Sequence, residues 1–340
     1  MNLENDLLIR AALGERTKRP PVWVMRQAGR ILAEYRATRS QAGSFIGLVK
    51  NPSLAAEVTV QPVDILGVDA AIIFSDILVV PEAMGLPYQM DEGKGPSFPK
   101  TIQRLEDLEM LDISDIPTRL EYVTQAIEET LYRLQNRVPL IGFAGAPWTI
   151  FCYMIEGKGS KEFSLARKML VQEPALSTSL LTMITNATIQ YMHAQIKAGI
   201  HLFQLFDSWA GVLNADLYQR MIQPHVANIL AACPNHIPTT YFAKGGFFAS
   251  ESIQALPCNV VGLDWTVKPE DAKLKFPNKT LQGNLDPAML YGSAESIEKA
   301  TVEMLQKFEG QPHIANLGHG VYPDIDPKKL KIFIETIQKS

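Results

Sequence analysis

The segment ALSTSLLTMITNATIQYMHAQIKAGIHLFQLFDSWAG, residues 175–211, contains one step of a pattern that runs through the whole chain. Its first part reads as a long helix. Its second, LFQLF at 202–206, reads as a strand that is apolar on both parities, and the polar pair Asp207 and Ser208 follows at once. A strand apolar on both faces suits a parallel sheet covered by helices. Seven further runs have the same character: VWVM (22–25), AAIIF (70–74), PLIGF (139–143), TTYFA (239–243), VVGLD (260–264), LQGNL (281–285) and IANLG (314–318). Helix-patterned stretches separate them, among them 52–67, 118–136, 293–310 and 326–339. Eight β/α alternations predict one α/β domain over residues 1–340, a (β/α)8 TIM-type barrel with its cleft at the C-terminal ends of the strands. A doubly wound open sheet is the alternative. It calls for a G-x-G-x-x-G turn after an early strand, and none occurs. The polar extension before residue 22 is expected to be partly ordered at best, and 90–117 reads as a long excursion forming a lid or cleft wall.

Composition narrows the function classes. The 340 residues carry 32 Lys and Arg against 36 Asp and Glu, a formal charge of −4. No global positive field exists to attract nucleic acid or an acidic membrane. An anionic ligand would have to be drawn by local arginines. Cys152, Cys233 and Cys258 are odd in number and widely spaced, which suits a reducing cytosol. The N-terminus has acids where a signal peptide is basic, and the most apolar stretch, 69–85, is interrupted by Asp76 and too short to span a bilayer. The expectation is a soluble cytoplasmic protein with neither nucleic acid nor membrane as partner.

Barrel enzymes keep their reacting groups at the C-terminal strand ends. That rule selects Arg26, Ser75 and Asp76, the AGAPW stretch at 144–148, Asp207 and Ser208, Lys244, Asp264 and Trp265, Asn284 and Asp286, and His319. In PVWVMRQAGR (21–30), a helix starting after Met25 would set Arg26 and Arg30 on one face, where like charges repel. They either pair with acids elsewhere or clamp a carboxylate or phosphate bidentately, and the small residues between them leave room for a bulky ligand. Asp76 sits inside an apolar run, so its carboxylate needs a cation or hydrogen-bond donors. It forms a salt bridge within the barrel or stabilises positive charge in a closed cleft. His319 is flanked by glycines that let a loop bend and a ligand approach. Tyr153 reads as a core aromatic with a capped hydroxyl, and Ser208 as a hydrogen-bond donor, because no G-x-S-x-G is present. The stretches EGKGP (92–96) and EGKGS (156–160) lack the remainder of a phosphate loop, and no histidine or cysteine spacing supports a metal site.

The motifs PVWVMRQAGR, IIFSDILVVPEAMG (72–85), GFAGAPWTIFCYMIEGKGS (142–160), LFDSWAG (205–211), GLDWT (262–266), QGNLDP (282–287) and LGHGVYPDIDP (317–327) together resemble the uroporphyrinogen decarboxylases, from about residue 4 to the end. The resemblance implies a homodimeric (β/α)8 barrel without metal or organic cofactor. Its reaction converts the four acetate side chains of uroporphyrinogen III to methyls, giving coproporphyrinogen III and four CO2. It further implies that Arg26 and Arg30 bind the substrate's carboxylates, with Arg26 a proposed proton donor. Asp76 would meet the pyrrole N–H groups, Tyr153, Ser208 and His319 would contact side-chain carboxylates, and Phe143 would line the pocket. The chain departs from the family's usual GRYLPEYR at Ile31 and Ala33. Two rival readings are a zinc-dependent barrel methyltransferase, whose His-x-Cys pair is missing, and a non-catalytic porphyrin-binding protein.

Overall fold

In the computed structural model, residues 3–91 and 95–340 are described; part of the EGKGP stretch, residues 92–94, lies outside them. The strands are β1 (Ala71–Ile72), β2 (Gln89–Asp91), β3 (Gly95–Ser97), β4 (Leu140–Gly145), β5 (Leu202–Asp207), β6 (Thr239–Ala243), β7 (Val260–Gly262), β8 (Thr280–Leu285) and β9 (His313–Leu317). Seven of them form one curled parallel sheet in the order β1-β4-β5-β6-β7-β8-β9, while β2 and β3 pair as a separate antiparallel hairpin. The predicted parallel α/β architecture is therefore present. The ladder is longest at β4–β5, β5–β6 and β8–β9, which each match five residue pairs. The long helix of the opening segment spans Pro174–Ala198. It starts on a proline, which is suited to the first helical position, and ends on Gly199 at φ 109°, a conformation costly for any side chain.

The predicted first strand needs correction. Residues 22–25 form no ladder; Val22 makes a single parallel bridge to Ala315. The cause is local chemistry. Pro20 and Pro21 have no N–H to give, and the following N–H groups turn to side chains: Val22 to Asp69 Oδ2 (2.8 Å), Val24 to Gln27 Oε1 (3.0 Å) and Met25 to Asn316 Oδ1 (3.1 Å). On the opposite edge, Asp69 N donates to the Val22 carbonyl at 2.7 Å. The Asp69 carboxylate is itself held bidentately by Arg19 (2.7 and 2.8 Å) and by Asn5 Nδ2 (2.7 Å). β1 is shorter than the predicted 70–74 partly because Phe74 N donates to Thr59 Oγ1 (2.9 Å) rather than to a strand.

The extension before residue 22 is also more ordered than its polarity suggested. Leu7–Ala12 is a helix that buries Leu7, Leu8, Ala11 and Ala12, and the Ala11 carbonyl accepts from Thr280 Oγ1 at 2.6 Å. It packs into an inner apolar cluster with Trp23, Met25, Ile141, Leu202, Phe242, Val260 and Ile314. Above that cluster a buried polar relay runs from Trp23 Nε1 to Gln282 Oε1 (3.0 Å) and from Gln282 Nε2 to Gln204 Oε1 (3.3 Å). The excursion at 90–117 is stitched to the end of the helix Pro147–Glu156: Phe98 N donates to the Gly157 carbonyl (2.7 Å) and Ile102 N to that of Met154 (2.9 Å). Among the described residues no helix is long and apolar enough to cross a membrane.

Candidate active site

Arg26 and Arg30 do not share a helix face. The chain turns at Arg26, whose φ is 63°, and the next helix begins only at Ala33. Gln27 fixes that turn. It is 1% exposed, accepts from Val24 N and donates from Nε2 to the Ala70 carbonyl (3.0 Å), while Val321 N donates to the Met25 carbonyl (3.0 Å). Gln27 and Met25 thus stitch the turn to the start of β1 and to the loop after β9, while Ala28 and Gly29 between the arginines stay partly exposed. Both arginines are exposed. Arg26 reaches the group described below, whereas the charge of Arg30 bears on Tyr35, whose ring packs on Phe74 at 5.7 Å.

The glycines around His319 also serve a purpose other than the predicted one. A Cβ on Gly320 would stand 2.4 Å from Cδ of Arg26, and one on Gly318 would stand 2.2 Å from the backbone nitrogen of Trp265. They make room for protein, seating the arginine side chain and the β7 loop against His319. The imidazole ring lies 6.3 Å from Phe242 and 6.2 Å from Trp265. Burial and the nearby cations Arg26 and Lys244 push it down to about 4, so it is neutral at physiological pH. Lys244, at the end of β6, rests its Nζ over the Trp265 ring, 5.6 Å from the centroid.

Asp76 is partly exposed. Its Oδ1 accepts from Leu78 N at 3.0 Å, and the hydroxyl of Tyr88, which is buried, faces the same carboxylate. Burial raises the Asp76 carboxyl above its ordinary range; the N–H groups of Leu78 and Ile77 and the Tyr88 hydroxyl work against that rise, and Glu82 adds to it. Ser75 Oγ and Tyr191 Oη face one another nearby without hydrogen-bond geometry. Tyr88 stood out less in the sequence because the short helix Val79–Ala83 and its flanking turns separate it from Asp76, with no periodicity to link the two.

An aromatic floor joins these groups. Phe143 packs edge-on to Phe206 (5.7 Å), Phe206 to Phe242 (6.1 Å), and Phe242 leads to His319. Tyr153, 9% exposed, is edge-on to Trp209 at 6.4 Å, and the indole N–H of Trp209 faces its hydroxyl without hydrogen-bond alignment. The Tyr153 hydroxyl feels the charges of both Asp76 and Arg26, which places the three in one neighbourhood. Ser208 is partly exposed beside Trp209. Trp209 and Phe206 belong to this group and were missed as individuals, although both lie in the segment that opened the sequence reading.

Other strand-end residues are occupied elsewhere. Asp207 is fully buried and accepts from Thr149 Oγ1 (2.7 Å) and Tyr241 Oη (2.9 Å); burial pushes it up to about 6. Asp264 accepts from Gly245 N and Thr266 N, Asn284 Nδ2 donates to the carbonyls of Asp264 and Val267, and Asp286 caps Ala288 N. These polar groups shape the rim. The three cysteines are buried, with Cys233 and Cys258 each pushed up to about 11 by burial. Among the described residues no three His, Cys, Asp or Glu side chains converge as metal ligands.

Comparison with known proteins matches residues 3–340 to the family model of uroporphyrinogen decarboxylase. Curated uroporphyrinogen decarboxylases from Ovis aries and Homo sapiens are each 46% identical over 99% of this chain and 94% of their own length. That of Thioalkalivibrio sulfidiphilus is 43% identical over 99% of this chain and 98% of its own. Among solved structures, a methyltransferase from Methanosarcina mazei superposes with a TM-score of 0.82 at 19% identity, covering 100% of this chain and 99% of that one. At that identity the likeness is one of fold.

Proposed function

The chain belongs to the uroporphyrinogen decarboxylase family, and from that premise we propose how its cleft works. It is a carboxy-lyase of tetrapyrrole biosynthesis, acting on the acetate side chains of uroporphyrinogen. The finer reading is that uroporphyrinogen III becomes coproporphyrinogen III with four CO2 released and no cofactor taking part. The substrate carries four acetates and four propionates. A proton added to a pyrrole carbon makes the ring an iminium cation. The bond to the carboxylate then breaks, its electron pair flows into the cation, and CO2 leaves. The exocyclic methylene takes a proton to become a methyl, and the ring carbon gives its proton back. The substrate is thus its own electron sink, and the protein supplies orientation and charge.

Asp76 carries this reading. It is a partly open carboxylate whose acceptor capacity is incompletely used by Leu78 N, with the Tyr88 and Tyr153 hydroxyls and the cation Arg26 in its neighbourhood and Glu82 the other acid acting on it. It meets the pyrrole N–H groups and stabilises the ring cation. Arg26 orients the leaving carboxylate and Arg30 takes one further out. A guanidinium is a very weak acid, so anchoring is the larger part of Arg26's role and proton donation the smaller. Tyr153, Ser208 and neutral His319 receive carboxylates through hydrogen bonds, and Phe143 lines the floor beneath the macrocycle.

The same reading takes residues 1–340 as a single domain and the curled sheet as a (β/α)8 barrel closed by residues 22–25. Its support is that Val22 bonds to both sheet edges and that Trp23 and Met25 share the inner cluster. A cytoplasmic homodimer completes it, checked by sedimentation equilibrium. The deciding experiment incubates the protein anaerobically with uroporphyrinogen III and counts product carboxylates by chromatography. Seven-, six-, five- and then four-carboxyl species without added cofactor are expected. Retention of all eight carboxylates by a protein that binds the substrate would favour a porphyrin-binding protein instead.

A further inference from the structure

Lys244 is absent from every role assigned above, yet its setting is unusual for a lysine. It is only partly exposed, it stands at the C-terminal end of β6, and its Nζ lies over the Trp265 ring. Among the described residues no carboxylate lies within salt-bridge distance of it. Asp264, whose carboxylate meets the residue next to Lys244, is already engaged by the N–H groups of Gly245 and Thr266 and by the Thr266 hydroxyl. An ammonium held on an aromatic face keeps most of its charge available, since the ring satisfies only one side of it. His319 has two cations in its surroundings: its neighbour Gly320 abuts the Arg26 side chain, and its ring lies 6.2 Å from that of Trp265, over which Lys244 rests. Both cations act on the imidazole. Holding two like charges around a neutral histidine is electrostatically unfavourable in the empty cleft, and an arriving anion relieves it.

We propose that Lys244 is a further substrate-binding residue, taking a side-chain carboxylate of the macrocycle next to the one held by Arg26, with Trp265 fixing the ammonium and His319 bridging the two. This rests on the reading of the cleft as a tetrapyrrole site. It adds a second anchoring point across the aromatic floor, on β6 and β7 rather than on the Arg26 turn. A macrocycle that must be rotated to present each acetate in turn is then gripped at two places each time. Loss of one grip weakens binding and also lets partly decarboxylated intermediates escape.

The test compares wild type, Lys244→Met and Lys244→Arg. Steady-state kinetics with uroporphyrinogen III give KM, kcat and the distribution of seven-, six- and five-carboxyl products. Binding of uroporphyrin III, read by quenching of tryptophan fluorescence, gives a Kd that does not depend on turnover. A charge-assisted hydrogen bond lost from the complex predicts a rise of about 10-fold in KM and Kd for Lys244→Met. Intermediates should accumulate, kcat should change less than KM, and Lys244→Arg should recover most of the loss. Wild-type KM, Kd and product distribution in Lys244→Met would overturn the proposal. So would a Lys244→Arg variant as impaired as Lys244→Met, because charge would then not be the operative property. Should Lys244→Met fail to fold, the salt dependence of Kd in Lys244→Gln replaces it, and a slope equal to wild type counts against the proposal. If wild type binds uroporphyrin III but releases no CO2 from uroporphyrinogen, the decarboxylase reading fails while the Kd comparison still decides Lys244.

Discussion

Asp69 and Asp76 stand seven residues apart, before and after the same short strand, and they are opposite kinds of carboxylate. Asp69 is 2% exposed and fully engaged: two bonds from Arg19, one from Asn5 and one from Val22 N. Asp76 is partly exposed, meets Leu78 N and faces the Tyr88 hydroxyl, and has no cation within salt-bridge distance among the described residues. The first closes a seam and has nothing left to offer a ligand. The second retains acceptor capacity at a cost in solvation, which its raised pKa records. Residue type is the same in both; the remaining hydrogen-bond capacity separates structure from chemistry.

The comparison breaks most severely at Asp69. Asp69→Ala leaves Arg19, whose side chain is 14% exposed, without its partner, and should cost about 3–5 kcal/mol in denaturant unfolding, with turnover per folded molecule little changed. Equal losses of stability and specific activity would show that the seam and the cleft are not separable. Asp76→Asn should reverse the pattern. The decarboxylation rate falls by about 10²–10³-fold, the magnitude associated with one preorganised electrostatic group. Stability at neutral pH is unchanged or higher. The sign follows from linkage: a carboxyl whose folded pKa is raised contributes most at low pH and loses that contribution as pH rises through the folded value, so ionised Asp76 is a net cost at neutrality. Undiminished turnover by this variant would remove Asp76 from the mechanism.

Tyr88→Phe sharpens the contrast with a smaller effect. One donor to Asp76 disappears, so its pKa climbs further and the acid limb of the kcat/KM profile should move to higher pH, with a drop of about 10-fold near neutrality. An unmoved acid limb would mean that Asp76 does not govern it. The smallest expected effect concerns a departure from the family motif. Ala33 is the first residue of its helix and follows Leu32 in extended backbone (φ −83°, ψ 131°), a geometry proline accepts. Ala33→Pro should raise stability by about 0.4–1 kcal/mol in thermal unfolding and leave activity alone.

How much was legible in the sequence follows the same division. β5, β6 and β9 lie within a residue or two of their apolar runs, because burial on both faces leaves an unmistakable pattern. Residues 22–25 share that pattern without forming a ladder, since nothing in their apolarity reveals that Asp69, Gln27 and Asn316 will take their N–H groups. Asp76, Arg26 and His319 stood out as polar residues in apolar or glycine-rich settings. Tyr88 and Trp209 did not, being aromatics among aromatics whose significance lies in which hydroxyl or carboxylate they face. The glycines beside His319 were readable as a demand for space, but only the packing shows that protein fills it.

The seam has a further consequence, in time rather than in space. Met25 N waits for Asn316, Trp23 for Gln282 and Val22 for Ala315, partners separated from them by 291, 259 and, for the bridge, almost the whole chain. Contacts of that sequence separation form late, because the entropy of closing so long a loop is lost before any bond compensates it. During synthesis the N-terminal helix and its Trp23 emerge first and remain without their partners until nearly the last strand has left the ribosome. Pulse-labelled hydrogen exchange should find the amides of 22–25 among the last protected on refolding, well after those of β4, β5 and β6. The residues that carry Arg26 to its place are then among the last to be set, and a chain truncated before β9 has the machinery to build most of its sheet but not to aim Arg26.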